Sequence, residues 1–444
     1  MMSRSFVTRL SGFRALHVCL CAWFLSTVSQ ALAQVTPAPA TSEVYPLAYD
    51  VRVVPSEKVA YVTIGLSKNA SLVQKVVFLI DPQRHSDFDG DGELLLEDRA
   101  VTWMPPTRGG ELRYTFRIDH LRDEQRYDAL ITSTWALFRG DDLVPPARVS
   151  TVDGSVATAT LRLRMPEGWS AVTPYDEGNG GVLSIENPER RFDRPTGWFL
   201  LGKLHVAKTT VAGSKVTFAT PRKQGARRQD LLAFLRWTLP ELRDLAGPLP
   251  PRLTIVSAGD PMWRGGLSGP ASLYLHAERP LIDDDFTSPV LHELLHTMMA
   301  ARAGSDGDWV VEGLAELYSI EVLHRSRGIS KRRYERAFER ARRRAEGVSS
   351  LRVGRADGRV TAKAVGVLKA LDGVMRERCK RNLTDVVKQL KASRAEISTA
   401  SFRSTVESVG ECDLQDFFAE HAPEPAREPL PKTPAAASPA PRNP

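Results

Sequence analysis

Short runs of alternating hydrophobic and polar residues fill the first half of the chain. Turn-forming Asn-Gly, Asp-Gly and Gly-Gly pairs interrupt these runs. Alternation with a period of two, broken by such turns, is typical of antiparallel strands. The pattern predicts an antiparallel all-β domain, sandwich-like or barrel-like, over residues 45–225. The runs that carry the prediction are YDVRVV, KVAYVTIGL, KVVFLI, ELRYTFRI, TATLRLRM, WFLLGKLHV and KVTFAT.

The period of the pattern changes near Gln229. The run DLLAFLRWTLPELRDL has helical spacing, RLTIVSA and ASLYLHA have strand character, and helical spacing continues to about His421. This order predicts a second, α+β domain over residues 226–423 that is mostly helical towards its C-terminal end. Residues 424–444 are rich in Pro and Ala and cannot bury a core, so we expect them to be disordered.

The N-terminal residues 1–33 have the composition of a secretory signal peptide. A basic start is followed by an apolar run and then by small residues at a cleavage position. An uncleaved membrane anchor is the alternative, but the apolar run is short for spanning a bilayer. Residues 34–44 then form a predicted linker. The basic residues are Arg4, Arg9 and Arg14, and the small ones are Ala31 and Ala33.

Cleavage would change what the composition implies. With 42% hydrophobic and 25% charged residues the chain is of the globular class. Loss of three arginines lowers the formal net charge from +7 to +4, which is too small to indicate nucleic-acid binding. No later segment has the length and apolarity of a transmembrane anchor, so we expect an exported protein, periplasmic or secreted. Its two remaining cysteines, Cys379 and Cys412, predict one disulfide, with free buried thiols as the alternative.

Two histidines four residues apart mark a candidate metal-binding helix in PVLHELLHTMMA. On a helix, His292 and His296 share a face and can reach one ion. Ser288 and Pro289 are a favourable N-cap and first helical residue. Glu293 would then take a proton from a water molecule that the metal activates.

The alternative interpretation is an apolar helix that carries two histidines by chance. Its hydrophobic face would be formed by Val290, Leu291, Leu294 and Leu295. The segment DWVVEGLAELY favours the metal site, because Glu312 follows His296 by sixteen residues, a spacing that suits a helix–turn–helix. Glu316, one turn further, is placed to accept the second N–H of a ligating histidine.

HELLH followed by WVVEGLAELY resembles the HExxH…(W)xxEGxAxY pattern of gluzincin metallopeptidases. The resemblance is greatest to the glycyl-aminopeptidase family and extends to alanyl-aminopeptidase-type enzymes. It implies a thermolysin-like second domain, a Zn²⁺ ion held by His292, His296 and Glu312, a general base at Glu293, and peptide or protein substrates. It leaves exo- and endopeptidase specificity open, and the oligomeric state as well.

The chain departs from that family pattern at two positions. The stretch RGGLSGPASLYLHA keeps Gly266, but Ser268 and Gly269 stand where those enzymes carry an acid for the substrate's amino group. Thr361 stands where they carry a tyrosine that donates to the oxyanion, a group whose loss costs about 100- to 1,000-fold in rate. The candidates for lining the cleft or replacing that donor are Gly266, Ser268, His276, Tyr318 and Tyr334.

The segment DFDGDGELLLED has the spacing of an EF-hand calcium loop, with aspartate at the last position. It predicts a structural Ca²⁺ site at residues 87–98, and a hairpin turn that binds nothing is the alternative. The predicted ligands are Asp87, Asp89, Asp91, Glu93 and Asp98.

Residues 331–346, KRRYERAFERARRRAE, predict a solvated basic helix that packs through Tyr334 and Phe338, with a patch that binds an anionic surface as the alternative. The sequence as a whole predicts an exported zinc metallopeptidase. The second hypothesis is a catalytically weakened, zinc-bearing protein that binds a peptide or an envelope partner.

Overall fold

A computed structural model describes residues 43–423, except 187–190, 226, 301 and 394. The predicted signal peptide, nearly all of the predicted linker and the predicted disordered tail lie outside the described residues, so these three predictions are untested.

The described residues of the N-terminal region form β-strands, the short helix α1 (Gly140–Leu143) and two 3₁₀ turns, at Ala70–Leu72 and Asn179–Gly181. Buried and exposed residues alternate along its longest strands, as the sequence pattern predicts. The strands are β1 (Val44–Val54), β2 (Val59–Leu66), β3 (Val73–Leu79), β4 (His85–Gly90), β5 (Glu93–Glu97), β6 (Ala100–Met104), β7 (Gly110–Arg117), β8 (His120–Leu121), β9 (Tyr127–Ile131), β10 (Trp135–Arg139), β11 (Ala147–Thr151), β12 (Val156–Arg164), β13 (Ser170–Val172), β14 (Val182–Ile185) and β15 (Trp198–Gly202).

These strands form three sheets, with the orders β14-β12-β1-β2-β7-β4, β13-β15-β10-β9-β8 and β11-β3-β6-β5. The all-β character of the region is confirmed. The prediction of purely antiparallel pairing is wrong at one place, because β1 and β12 pair in parallel. Parallel strands need a long crossover connection, and here residues 55–155 supply it. Alternation of apolar and polar residues does not report strand direction.

The second region combines a mixed sheet with helices. Its sheet has the order β16-β17-β18-β20-β19, in which β17, β18 and β20 are parallel and both edge strands are antiparallel. The elements are β16 (Leu204–Val211), β17 (Ser214–Pro221), α2 (Arg228–Ala246), β18 (Arg252–Ala258), β19 (Gly266–Gly269), β20 (Ser272–His276), α3 (Pro289–Met299), β21 (Arg302–Ala303), α4 (Asp308–Arg325), α5 (Lys331–Arg344), α6 (Gly358–Val374), α7 (Leu383–Ser393), β22 (Glu396–Ile397), α8 (Thr399–Gly410) and α9 (Gln415–His421).

Strands β16 and β17 fall within the predicted N-terminal domain, but they pair with the sheet of the second region. An apolar layer joins the two regions. In it Trp198 and Leu200 of β15 pack with Val256 of β18 and Tyr274 of β20, and all four are buried. Hydrogen bonds extend this contact to the edge strand: the indole N–H of Trp198 donates to the carbonyl oxygen of Leu267 at 2.9 Å. The N-terminal region therefore contacts β19 and helps to hold it in place.

A disulfide between Cys379 and Cys412 joins the turn after α6 to the end of α8, with the two Cα atoms 5.5 Å apart. The predicted pairing is confirmed. The helices of the described region include none with the length and apolarity needed to cross a membrane.

The structure gives the predicted calcium loop no support. Its two halves belong to different sheets, since β4 pairs with β7 and β5 pairs with β6. Gly92, at φ +92°, makes the bend between them. The carboxylates have separate partners: Asp87 accepts from the Ser86 hydroxyl, Asp89 pairs with Arg113, and Asp91 accepts from the Glu111 amide. Glu93 begins β5 and Asp98 follows its end, so the acids do not converge.

Candidate metal centre

Helix α3 begins where the sequence predicts. The Ser288 hydroxyl oxygen accepts the N–H of Leu291 at 3.3 Å, and Pro289 is the first helical residue. The apolar face of the helix is buried in the core together with residues of β20 and α4, whereas His292 and His296 are partly exposed. The buried residues of that apolar face include Val290, Leu291, Leu294, Leu295 and Met298. The apolar-helix interpretation thus describes one face of the metal-site helix.

Helix α4 brings Glu312 to these histidines. Within the described residues, His292, His296 and Glu312 form the one group of three or more potential metal ligands whose donor atoms all lie within 4.8 Å of one another. The predicted helix–turn–helix is therefore present, and it joins the three residues in one cluster.

The spacing of the three donor atoms fits a zinc ion. The two histidine Nε2 atoms are 3.0 Å apart, and carboxylate oxygens of Glu312 lie 3.2 Å from Nε2 of His292 and 3.4 Å from Nε2 of His296. A tetrahedral zinc ion with bonds of about 2.0–2.1 Å holds its ligands about 3.3 Å apart. Two imidazoles and a carboxylate are also the donor types that catalytic zinc sites use.

Glu316 contacts one of the candidate ligands. Its Oε2 atom lies 3.1 Å from Nδ1 of His292. The Nδ1–H group therefore donates to Glu316 and leaves Nε2 free for a metal. The position predicted for Glu316 from its helical spacing is the observed one.

The protonation of the cluster reflects its internal hydrogen bonds. Burial by itself lowers the pKa of His292, but hydrogen bonds to Glu312 and Glu316 outweigh burial and raise it above its usual value. Burial raises the pKa of Glu312, but hydrogen bonds from His292 and His296 hold it well below its usual range. The cluster therefore holds a proton that a bound metal cation would displace.

Glu293 lies on the side of α3 that faces the edge strand β19. A Cβ atom on Gly266 would come within 2.8 Å of Cγ and 3.4 Å of Oε1 of Glu293. Only glycine allows the strand to approach this side chain so closely. Gly266 therefore helps to fix the position of the predicted general base.

Strand β19 lies beside α3 and forms one wall of the candidate site. Ser268 lies on it opposite Leu273, and its carbonyl oxygen accepts from Arg139 of the N-terminal region at 3.4 Å. Ser268 and Gly269 provide no carboxylate at this wall. On the other side, Thr361 of α6 lines a cavity with His292 and Glu312, and its hydroxyl donates to the carbonyl oxygen of Asp357 at 2.9 Å.

The two tyrosines among the three candidate replacements for the oxyanion donor have their hydroxyls hydrogen-bonded elsewhere. The Tyr318 hydroxyl is buried and donates to Thr384 at 3.4 Å. The Tyr334 hydroxyl donates to Glu321 at 2.6 Å. His276 is buried at the end of β20, where its Nδ1 accepts the amide N–H of Glu278 and its Nε2 lies 3.5 Å from Oδ1 of Asp260. The sequence could not show this, because each assignment depends on the direction of a side chain.

Helix α5 contributes residues to the site that the sequence analysis assigned to a solvated surface. Its inner face, which includes Arg340 and Arg344, lines a cavity of about 480 Å³ together with His292 and Glu312. The sequence does contain a signal for this arrangement. Ala337 and Ala341 are small residues at helical spacing between the arginines, which is the pattern of a face that packs closely.

Comparisons with known proteins agree with this fold. The structure is similar to an aminopeptidase N family protein from Idiomarina loihiensis, with a TM-score of 0.63 and 16% identity over 85% of this chain and 76% of that one. It is also similar to an M1 zinc metallopeptidase from Deinococcus radiodurans, with a TM-score of 0.55 and 17% identity over 88% of this chain and 96% of that one. A variant of the Deinococcus enzyme, bound to a Tyr-Ser-Ala substrate, gives a TM-score of 0.56 at 16% identity over the same shares.

No family model matches the sequence, and no curated protein matches it. The chain therefore has the fold of aminopeptidase N family and M1 zinc metallopeptidases, as the gluzincin resemblance implied.

Proposed function

We propose that this protein is an exported zinc-dependent metallopeptidase that hydrolyses peptide bonds. The triangle of donor atoms from His292, His296 and Glu312 carries the proposal, because its edges of 3.0, 3.2 and 3.4 Å suit zinc. The shared fold of zinc metallopeptidases supports it. We also propose a thermolysin-like second domain, supported by the mixed sheet whose antiparallel edge strand lies beside the zinc helix.

Zinc would supply a Lewis acid that lowers the pKa of water and polarises a carbonyl group. His292, His296 and Glu312 would hold the ion, and Glu316 would keep the His292 ring in the required orientation. Glu293, held against β19, would take a proton from the attacking water and pass it to the leaving amine. A peptide that lies along β19 would place its scissile bond between Glu293 and the metal ligands.

Export is supported by two observations. The signal-like N-terminal sequence predicts it, and the Cys379–Cys412 disulfide is of a kind that persists in oxidising compartments.

A second candidate function is a zinc-bearing binding protein with weakened catalysis. The observation that favours it is the Thr361 hydroxyl, which donates to Asp357 and not into the cavity at the position of the family's tyrosine. A missing oxyanion donor costs about 100- to 1,000-fold in rate, which slows a peptidase without removing its general base.

Purified zinc-loaded protein and its Glu293→Gln variant, incubated with a mixed peptide library, distinguish the two functions. The peptidase proposal predicts cleavage by the parent and a loss of about 100-fold or more in the variant, because general-base catalysis contributes about 10²- to 10⁴-fold. The positions of the cuts separate exopeptidase from endopeptidase action. Equal rates for the two proteins, or no cleavage by either, would rule out the peptidase.

A further inference from the structure

The cavity beside the metal cluster has a strongly basic wall. The cavity is lined by His292, Glu312 and Glu316 and by residues of α5 and of the N-terminal half of α6. Its volume of about 480 Å³ lies within the range of about 300–1,000 Å³ that small-ligand sites occupy. The cavity therefore has room for a substrate group next to the reacting bond.

Three arginines of α5, Arg340, Arg343 and Arg344, line this cavity. Arg340 and Arg344 share one carboxylate, because Asp285 has one oxygen 3.3 Å from Nη1 of Arg340 and the other 3.4 Å from Nη1 of Arg344. Asp357, close to Arg344, is engaged by the backbone N–H groups that it caps at the start of α6.

Arg343 has no ion-pair partner among the described residues. It lies on the exposed side of the cavity. The basic wall therefore carries one guanidinium whose hydrogen-bond donors remain available, next to two that share a single acid.

The wall is held in place by contacts behind it. The Tyr334 hydroxyl of α5 donates to Glu321 of α4, and Lys369 of α6 donates to both, at 2.7 Å in each case. Arg340 also lies over the ring of Phe286, 4.8 Å from its centre. These contacts fix the position of α5 and of Arg340, and a planar guanidinium loses little freedom for each hydrogen bond that it forms with an anion.

The acids of the same cavity are not free to bind a cation. Glu316 accepts from His292, and Glu312 contacts both histidines. The groups left to meet a substrate are therefore basic, and guanidinium binds a carboxylate through paired, charge-assisted hydrogen bonds.

We propose that this cavity binds a carboxylate of the peptide substrate, and that Arg343 pairs with it. The inference rests on the proposed peptidase function and gives it a substrate class: peptides with an acidic group close to the scissile bond. Two carboxylates share this chemistry, the side chain of an Asp or Glu residue and the free C-terminus of a short peptide.

Calorimetric binding to zinc-loaded Glu293→Gln protein tests the proposal without turnover. The probes are alanine-based hexapeptides with one glutamate or one glutamine at each position in turn, made with a free or an amidated C-terminus. A charge-assisted pair predicts that carboxylate peptides bind about 10- to 100-fold more tightly than their neutral analogues. Loss of this preference on Glu-to-Gln exchange identifies the side chain as the bound group, and its loss on amidation identifies the C-terminus.

Substitutions at the basic wall and beside it test whether the arginines cause the preference for carboxylate peptides. Arg343→Gln should abolish it, whereas Arg342→Gln, a change of the same kind at a neighbouring exposed residue outside the cavity lining, should keep it. Asp285→Asn should strengthen it, because it removes the carboxylate charge that Arg340 and Arg344 share. Unchanged zinc affinity shows that each variant is folded.

Two results overturn the inference: no preference for carboxylate peptides in the parent, or a preference that persists in Arg343→Gln, as expected if the carboxylate coordinates the metal. The experiments distinguish failure of this inference from failure of the proposed peptidase function. Carboxylate-selective binding without hydrolysis by the parent removes the peptidase and keeps the site, whereas hydrolysis without selectivity does the reverse.

Discussion

Replacement of Glu316 tests whether the carboxylate behind His292 contributes to metal binding. Its Oε2 atom lies 3.1 Å from Nδ1 of His292 and is partly buried. A hydrogen bond to a charged group contributes about 1.5–3 kcal/mol and a neutral one about 0.5–1.5 kcal/mol. Glu316→Gln keeps an acceptor but loses the charge, which removes about 1–1.5 kcal/mol. Glu316→Ala removes the whole bond.

These energies convert to ratios of zinc affinity at about 1.4 kcal/mol for each factor of ten. We expect the zinc dissociation constant to rise about tenfold in Glu316→Gln and about 10- to 100-fold in Glu316→Ala, the range found when such supporting acids are removed. Competition with a chromophoric chelator at neutral pH measures both. Glu335→Gln, an exposed residue of α5, is the matched control and should bind zinc like the parent. If both Glu316 variants bind zinc within twofold of the parent, the assigned role is wrong.

Three further predictions follow from named contacts. Gly266→Ala places a methyl group within 2.8 Å of Cγ of Glu293, so kcat should fall, by up to about 100-fold for a displacement near 1 Å, with unchanged zinc affinity; an unchanged kcat contradicts this. The double change Cys379→Ser and Cys412→Ser opens a link across 33 residues and should lower the free energy of unfolding in urea by about 4 kcal/mol; a loss below about 1 kcal/mol contradicts it. Because hydrogen bonds raise the pKa of His292, zinc binding at pH 7 should release a proton and tighten about tenfold per pH unit as pH rises. Calorimetry in two buffers of different ionisation enthalpy measures the released proton. If no proton is released, the assignment of His292 as a zinc ligand is contradicted.

The arrangement of the candidate metal centre could be predicted from the sequence because most of it depends on local geometry. A helical spacing of four brings His292 and His296 together, the N-cap at Ser288 fixes where that helix begins, and the same spacing places Glu316 one turn after Glu312. Each relation depends on the geometry of one helix, and only the approach of α4 to α3 is long-range.

The features that the sequence analysis missed depend on long-range packing. Hydrophobic alternation predicted the strands but not that β1 pairs in parallel with β12, or that β16 and β17 join the second sheet. The acidic loop at 87–98 has the spacing of a calcium site, but its two halves pair with strands of different sheets. The predicted basic helix is α5, which packs through Tyr334 and Phe338 and keeps most of its arginines exposed. The sequence analysis did not predict that three of these arginines line a cavity with His292 and Glu312.

The central claim is that His292, His296 and Glu312 together hold a zinc ion. Anomalous scattering from a crystal of the zinc-loaded protein, recorded on both sides of the zinc absorption edge, locates the ion directly. The account predicts one peak about 2.0–2.2 Å from Nε2 of both histidines and from a carboxylate oxygen of Glu312. A zinc peak elsewhere, or no peak at these three residues, would contradict it.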